Sequence, residues 1–307
     1  MKRWTSFVAA LCAVTVLFGC TPAKQNTNES ETAPAPEPVQ VESVKTRATY
    51  GKRTGTDKTY TGLEQLPQIT LEVPDPDNSQ GLSETSCSHS FGVAKDGEPN
   101  AISVDNQKIY EKYGGYCLGP TEGNAIYLTF DCGYENGYTA QILDTLKEKR
   151  VTAAFFVTMD YLKSAPDLTA RMINEGHVVG NHSTTHPDFS AIPRSEMVKE
   201  IESVDNELRE HFGYSSAYFR FPAGNYSESA LELVQAVGYT SVFWSSAYAD
   251  WDPNTQKGAV YALKTVTDRL HPGCVLLLHA VSKDNAEALG AIIDEARAQG
   301  YEFKALP

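Results

Sequence analysis

The segment Ile126-Tyr-Leu-Thr-Phe-Asp131-Cys132-Gly133 is where the architecture of this chain can be read first. β-Branched and aromatic residues run together and then stop at an acid and a glycine, the pattern of a buried strand delivering a carboxylate to its C-terminal edge. α/β enzymes keep their chemistry at that edge. An Asp-x-Gly ending also describes a plain turn, so the reading depends on its surroundings.

Downstream of Gly123, strand-like runs at 126–130, 153–157, 178–181, 218–221, 241–244, 275–278 and 301–304 alternate with helical patterns at 139–149, 167–174, 195–211, 228–237, 256–270 and 285–298. Such alternation means βα units and a mostly parallel sheet. The predicted fold class is α/β, an irregular (β/α) barrel of about seven parallel strands over residues 123–307, smaller and less regular than the eight-fold barrel.

Upstream, residues 81–122 regain aromatic and glycine residues, as in Ser88-His-Ser-Phe-Gly, and predict an ordered arm packed on the main domain, too short for a core of its own. Residues 20–80 are rich in Pro, Thr, Glu, Asn and Ser without sustained periodicity and predict a flexible linker, with short strands around Ile69 to Val73 left open. Residues 1–19 combine Lys2 and Arg3 with an apolar run too short to span a bilayer, which predicts a signal peptide. Leu17-Phe18-Gly19-Cys20 resembles a bacterial lipobox, so Cys20 is the expected lipidation site and the protein is expected outside the cytoplasm, tethered to a membrane or secreted.

Composition restricts the partners. The chain carries a formal charge of −13; without Lys2 and Arg3, 24 basic residues face 39 acidic ones, or −15. That balance argues against nucleic acid and against electrostatic docking on anionic lipid, leaving the N-terminal lipid as the only expected membrane contact.

Polar residues gather at the strand ends. Val178-Val-Gly-Asn181 leads into His182-Ser-Thr-Thr-His186, whose two imidazoles would share one face of a helical turn and could reach one metal ion. Arg220-Phe-Pro222-Ala223-Gly224 offers a permanent cation and a turn able to aim backbone N–H groups at a ligand. Asp250-Trp251 and Leu276-Leu-Leu-His279 add an acid and a third histidine. Each alone has an ordinary structural explanation, a capping histidine or a solvated arginine, but five strand ends carry one each.

In this order and spacing the set resembles the NodB-homology polysaccharide deacetylases, carbohydrate esterase family 4. Their motifs T-F-D-D-G, H-[ST]-x-x-H, R-x-P-x-G, D-x-x-D-W and L-x-L-H read here as Thr129 to Gly133, His182 to His186, Arg220 to Gly224, Asp250-Trp251 and Leu276 to His279. The run from Asp131 to Thr139, the run from His279 to Leu289 and the Ser90-Phe-Gly arm look like the branch of spore-cortex muramic δ-lactam de-N-acetylases.

The resemblance implies hydrolysis of N-acetyl groups on peptidoglycan glycan strands, on N-acetylmuramic acid freed of its peptide, so that the amine can close a lactam. General N-acetylglucosamine deacetylation and a non-catalytic glycan-binding lipoprotein are the alternatives. It implies Asp131 as the general base, His279 as the acid for the departing amine, Asp250 and Arg220 as their respective partners, and a divalent metal, zinc for preference, on His182 and His186. It also implies the Ala223 N–H as an oxyanion donor and Trp251 and Leu277 around the acetyl methyl.

Two positions depart from the pattern: Cys132 replaces the second Asp of the first motif, and Ala247 the leading Asp of the fourth. Cys132 is therefore a candidate third metal ligand, although weak binding by the histidines alone is the preferred expectation. Cys87 and Cys117 are expected to form a disulfide in the arm, and Cys274 to be a small buried hydrophobe. Oligomeric state cannot be read from the sequence.

Overall fold

A computed structural model describes residues 48–55 and 59–307. The expected signal peptide, the lipidated Cys20 and most of the linker lie outside the described residues. Among those described, no helix is long and apolar enough to cross a membrane.

All seven expected strands form, as β1 (Ala125–Cys132), β2 (Ala154–Val157), β3 (Val178–Asn181), β4 (Tyr218–Phe219), β5 (Thr240–Ser241), β6 (Cys274–His279) and β7 (Glu302–Phe303). They make one sheet of order β6-β1-β2-β3-β4-β5, with β7 added on β1, and every pairing is parallel. A parallel bridge between Ser246 and Leu276 joins the two ends, through Ser245 N to Val275 O at 3.0 Å and Leu277 N to Ser246 O at 2.9 Å. The sheet is thus curled upon itself.

β1 is buried along its whole length, as a strand covered on both faces must be. Alternation sorts its side chains. Ile126, Leu128, Phe130 and Cys132 join the cluster formed with Ile142, Leu143 and Leu146 of helix Thr139–Lys149, whereas Ala125, Tyr127, Thr129 and Asp131 face the barrel interior. Gly180 on β3 keeps that interior open: a Cβ there would come within 2.5 Å of the Phe156 ring.

Residues 59–80 differ from the flexible linker expected of them. They form a strap along helix Arg194–Phe212, with Tyr60 N on His211 O at 2.9 Å, Leu66 N on Arg209 O at 3.0 Å, and Ile69 exchanging two 2.8 Å hydrogen bonds with the Asn206 amide. Arg209 and Arg194 each donate back, to Pro67 O and Pro74 O. The backbone is satisfied by one helix, through its side chains and its last carbonyls, which leaves no periodic apolar signal to read.

In the arm, Cys87–Ser88 pairs antiparallel with Asn225–Tyr226, and helix Ala101–Tyr110 packs behind. The expected disulfide is absent: Cys87 and Cys117 are both free. Cys117 is buried with its thiol on Ser103 O at 3.3 Å, while Cys87 is exposed. Cys274 is fully buried, and burial pushes its thiol up to about 12.

Candidate active site

The C-terminal strand ends bring most of the expected residues to one cleft of about 590 Å³. Asp131 and His279 are register partners across β1 and β6. Asp131 is only 7% exposed, and Arg220 Nη1 donates to its Oδ1 at 2.8 Å and to Thr129 Oγ1 at 2.9 Å. The remaining guanidinium groups reach Val242 O and Phe243 O, and the Arg220 Cζ stands 4.1 Å above the Phe156 ring. Burial alone would raise the Asp131 carboxyl, but the Arg220 charge, with His182 and His279, holds it below the ordinary carboxylate range.

His279 is tied to Asp250. Its Nδ1 donates to Asp250 Oδ1 at 2.7 Å and its backbone N–H to Oδ2 at 2.8 Å. Asn285 Nδ2 donates to the same Oδ2 at 2.6 Å. Burial disfavours the charged imidazole, yet the Asp250 carboxylate outweighs it and His279 is raised above 6.5. A carboxyl biased toward its ionised form and an imidazole biased toward its protonated form face each other, the pairing that base and acid catalysis needs.

His182 and His186 meet with ring centroids 4.9 Å apart and planes at 82°. The segment makes no helical turn, contrary to the sequence expectation. Ser183 and His186 have φ of 69° and 58°, and Glu200 pins the loop by accepting from the backbone of Thr184 and Thr185. His182 Nδ1 donates to Arg220 O at 2.8 Å, which fixes the tautomer and leaves Nε2 facing Asp131 Oδ2 at 3.6 Å. Burial lowers His182 to about 4 and lowers His186 as well, so both rings are neutral donors at neutral pH.

Cys132 is not with them. It is fully buried in the apolar cluster that includes Phe130, Ile142 and Tyr161, because its neighbour Asp131 takes the interior side of the strand. Burial pushes its thiol well up, away from the thiolate form that a metal requires. Among the described residues, no group of three or more His, Cys, Asp or Glu is arranged to hold a metal. The donor chemistry here fits an ion carried by two neutral imidazoles with its other positions open. We expect Cys132→Ala to leave acetate release and zinc content near wild type while costing about 1–2 kcal/mol in urea unfolding. Zinc lost from that variant would restore the thiolate as a ligand.

Ala223, with φ of 52°, and Leu277 line the cleft, as does Trp251, which is 59% exposed with its ring 6.1 Å from that of His279. Sequence reasoning missed Trp244, whose indole Nε1 is buried without a hydrogen-bond partner beside the cleft, and Asn285, which buttresses Asp250. It also assigned no role to His89. That residue accepts from Tyr110 OH at 2.6 Å, donates to Trp244 O at 2.8 Å and lies against Gly224, so the arm supports the Arg220 to Gly224 turn. The signal was the Ser88-His-Ser-Phe-Gly stretch, whose Phe91 lines the cleft.

Comparison with known proteins agrees with this geometry. Residues 118–242 match the family model for polysaccharide deacetylases. An uncharacterized 30.6 kDa protein of Geobacillus stearothermophilus is 49% identical over 210 residues, covering 68% of this chain and 79% of that protein. The peptidoglycan-N-acetylmuramic acid deacetylase PdaA of Bacillus subtilis is 46% identical over 210 residues, covering 68% and 80%. The structure of PdaA, a family 4 carbohydrate esterase, superposes with a TM-score of 0.71 at 42% identity over 73% of this chain and 96% of that one. A peptidoglycan-N-acetylglucosamine deacetylase of Bacillus cereus is 31% identical over 205 residues, covering 64% and 72%.

Proposed function

Because the chain belongs to the polysaccharide deacetylases of carbohydrate esterase family 4, we propose that it hydrolyses the acetamide of N-acetylmuramic acid in peptide-free peptidoglycan strands. The observation that carries the reading is the Asp131 and His279 pair, in register on adjacent strands and biased toward opposite charge states by Arg220 and Asp250. A pure glycan binder has no use for such a pair. The identity to PdaA supports the muramic substrate, and the weaker identity to the B. cereus protein leaves N-acetylglucosamine as the second reading.

In this mechanism Asp131 Oδ2, the oxygen Arg220 leaves free, takes a proton from the attacking water. The water oxygen bonds to the acetamide carbon, and the oxyanion that develops is met by the Ala223 N–H. His279, with Nδ1 committed to Asp250, gives its Nε2 proton to the amide nitrogen as the carbon–nitrogen bond breaks, releasing acetate and the free amine. A divalent cation, zinc in our reading, would be held by His182 and His186 and, when bound, supplies Lewis-acid polarisation of the acetamide oxygen. Leu277 and Trp251 bound the apolar slot for the acetyl methyl.

We place the enzyme outside the cytoplasm, anchored through Cys20; recovery of Cys20→Ser in the membrane fraction would remove the anchor. The function is tested by acetate release from peptide-free muramyl strands and from chitin oligomers. Release is expected chiefly from the former. Acetate from chitin alone favours the second reading, and none above the Asp131→Asn background from either leaves a binder.

A further inference from the structure

A muramic substrate brings a carboxylate into a protein of formal charge −13, so something in the cleft must meet it. Arg220 cannot, since it is fully buried and its donors are engaged by Thr129, Asp131, Val242 and Phe243. Arg269 is the arginine that lines the cleft. It follows helix Ala259–Thr267, is half-buried, and lines the cleft with Trp244, Leu277 and Phe91.

Arg269 Nη1 donates to Ala247 O at 2.9 Å, and among the described residues the guanidinium joins no ion pair. Ala247 is where the fourth motif of the resembling family carries its leading acid. A carboxylate on the residue whose carbonyl Arg269 grips would be well placed to neutralise it; a methyl leaves the charge uncompensated. One N–H is anchored and the others remain for a planar acceptor, the arrangement that suits bidentate carboxylate binding. The apolar walls strengthen such a contact by excluding water.

N-Acetylmuramic acid differs from N-acetylglucosamine by a lactyl ether on the carbon next to the acetamide, so its carboxylate enters the same cleft. We propose that Arg269 binds this lactyl carboxylate and selects muramic acid over glucosamine. The inference rests on the muramic reading above and supplies the cation that reading lacks.

The test uses the full chain in an Asp131→Asn background, where ligand is not consumed. A peptide-free muramyl tetrasaccharide is titrated by calorimetry as the free acid and as its methyl ester. The acid is expected to bind about ten- to a hundredfold tighter than the ester. Adding Arg269→Gln, which keeps a donor for Ala247 O, should bring the ratio close to one, and Arg269→Lys should retain part of it. No acid preference in the background protein, or one that survives Arg269→Gln, overturns the proposal. Failure of the muramic reading shows separately, as acetate released by the active enzyme only from N-acetylglucosamine residues, while the acid-to-ester ratio still decides the role of Arg269.

Discussion

Replacing Asp131 by Asn should reduce acetate release about a thousandfold, the scale on which a positioned general base contributes. The amide retains an oxygen for Arg220 Nη1 but cannot accept the proton of the attacking water. The substitution also removes the counter-charge from a guanidinium that is fully buried, and breaking such a pair costs about 3–5 kcal/mol. A lower melting temperature must therefore accompany the loss of rate, and the assay belongs well below that transition. Arg220 keeps its contacts with Thr129, Val242 and Phe243, so the fold itself is expected to survive. A variant that is folded, less stable and still within tenfold of wild type would remove Asp131 from the role of base.

The second large effect concerns pH. The proposed mechanism requires ionised Asp131 and protonated His279, so the profile of kcat/KM should be bell-shaped, falling in acid as Asp131, His182 and His186 take up protons and in alkali as His279 loses one. His279 is raised because Asp250, ahead of Asp131, overcomes the opposing effect of burial. In Asp250→Asn that support is gone and burial remains, so the imidazole should titrate lower and the alkaline limb move to lower pH. At neutral pH the rate should fall about ten- to a hundredfold, within the range of a general acid. The change is not isosteric in hydrogen bonding. His279 N, His279 Nδ1 and Asn285 Nδ2 all donate to Asp250, and an amide has only one oxygen for them. The discriminating observation is therefore the position of the limb rather than the rate alone; an alkaline limb that stays put would separate Asp250 from the proton on His279.

Much of this site was legible in the sequence because strand ends announce themselves. A buried run that breaks at Asp131, Asn181, Arg220 or His279 gives both the element and the side chain at its edge, and parallel pairing then brings those edges together. What escaped was decided by contacts rather than by period. Helix Ala101–Tyr110 buries only Ser103 and Tyr110, too sparse a pattern to stand out, and the strap over 59–80 is held by the side chains and last carbonyls of another helix. Cys132 is a different case. The rule that adjacent strand residues point to opposite faces was available from the sequence, and it separates Cys132 from Asp131 if β1 continues to its end. Family likeness drew attention to the motif position and away from that alternation. Arg269 falls within the helix expected over 256–270, but that helix stops at Thr267, and the turn beyond it has no period to mark a residue as facing the cleft.

The pairing of β1 governs how this chain can acquire its structure. One edge of β1 is filled by β6, beginning with Cys274 beside Ile126; the other is shared, with β2 on residues 129–132 and β7 on residues 125–126. The strand that carries Asp131 thus borrows neighbours almost 150 and 180 residues further along, which raises contact order and slows folding. During synthesis, β1 emerges with only β2 to pair with early, and its remaining hydrogen-bonding positions wait for β6 and β7. Until β6 has been made, Asp131 has no His279 beside it, so the cleft is among the last parts of the fold to assemble.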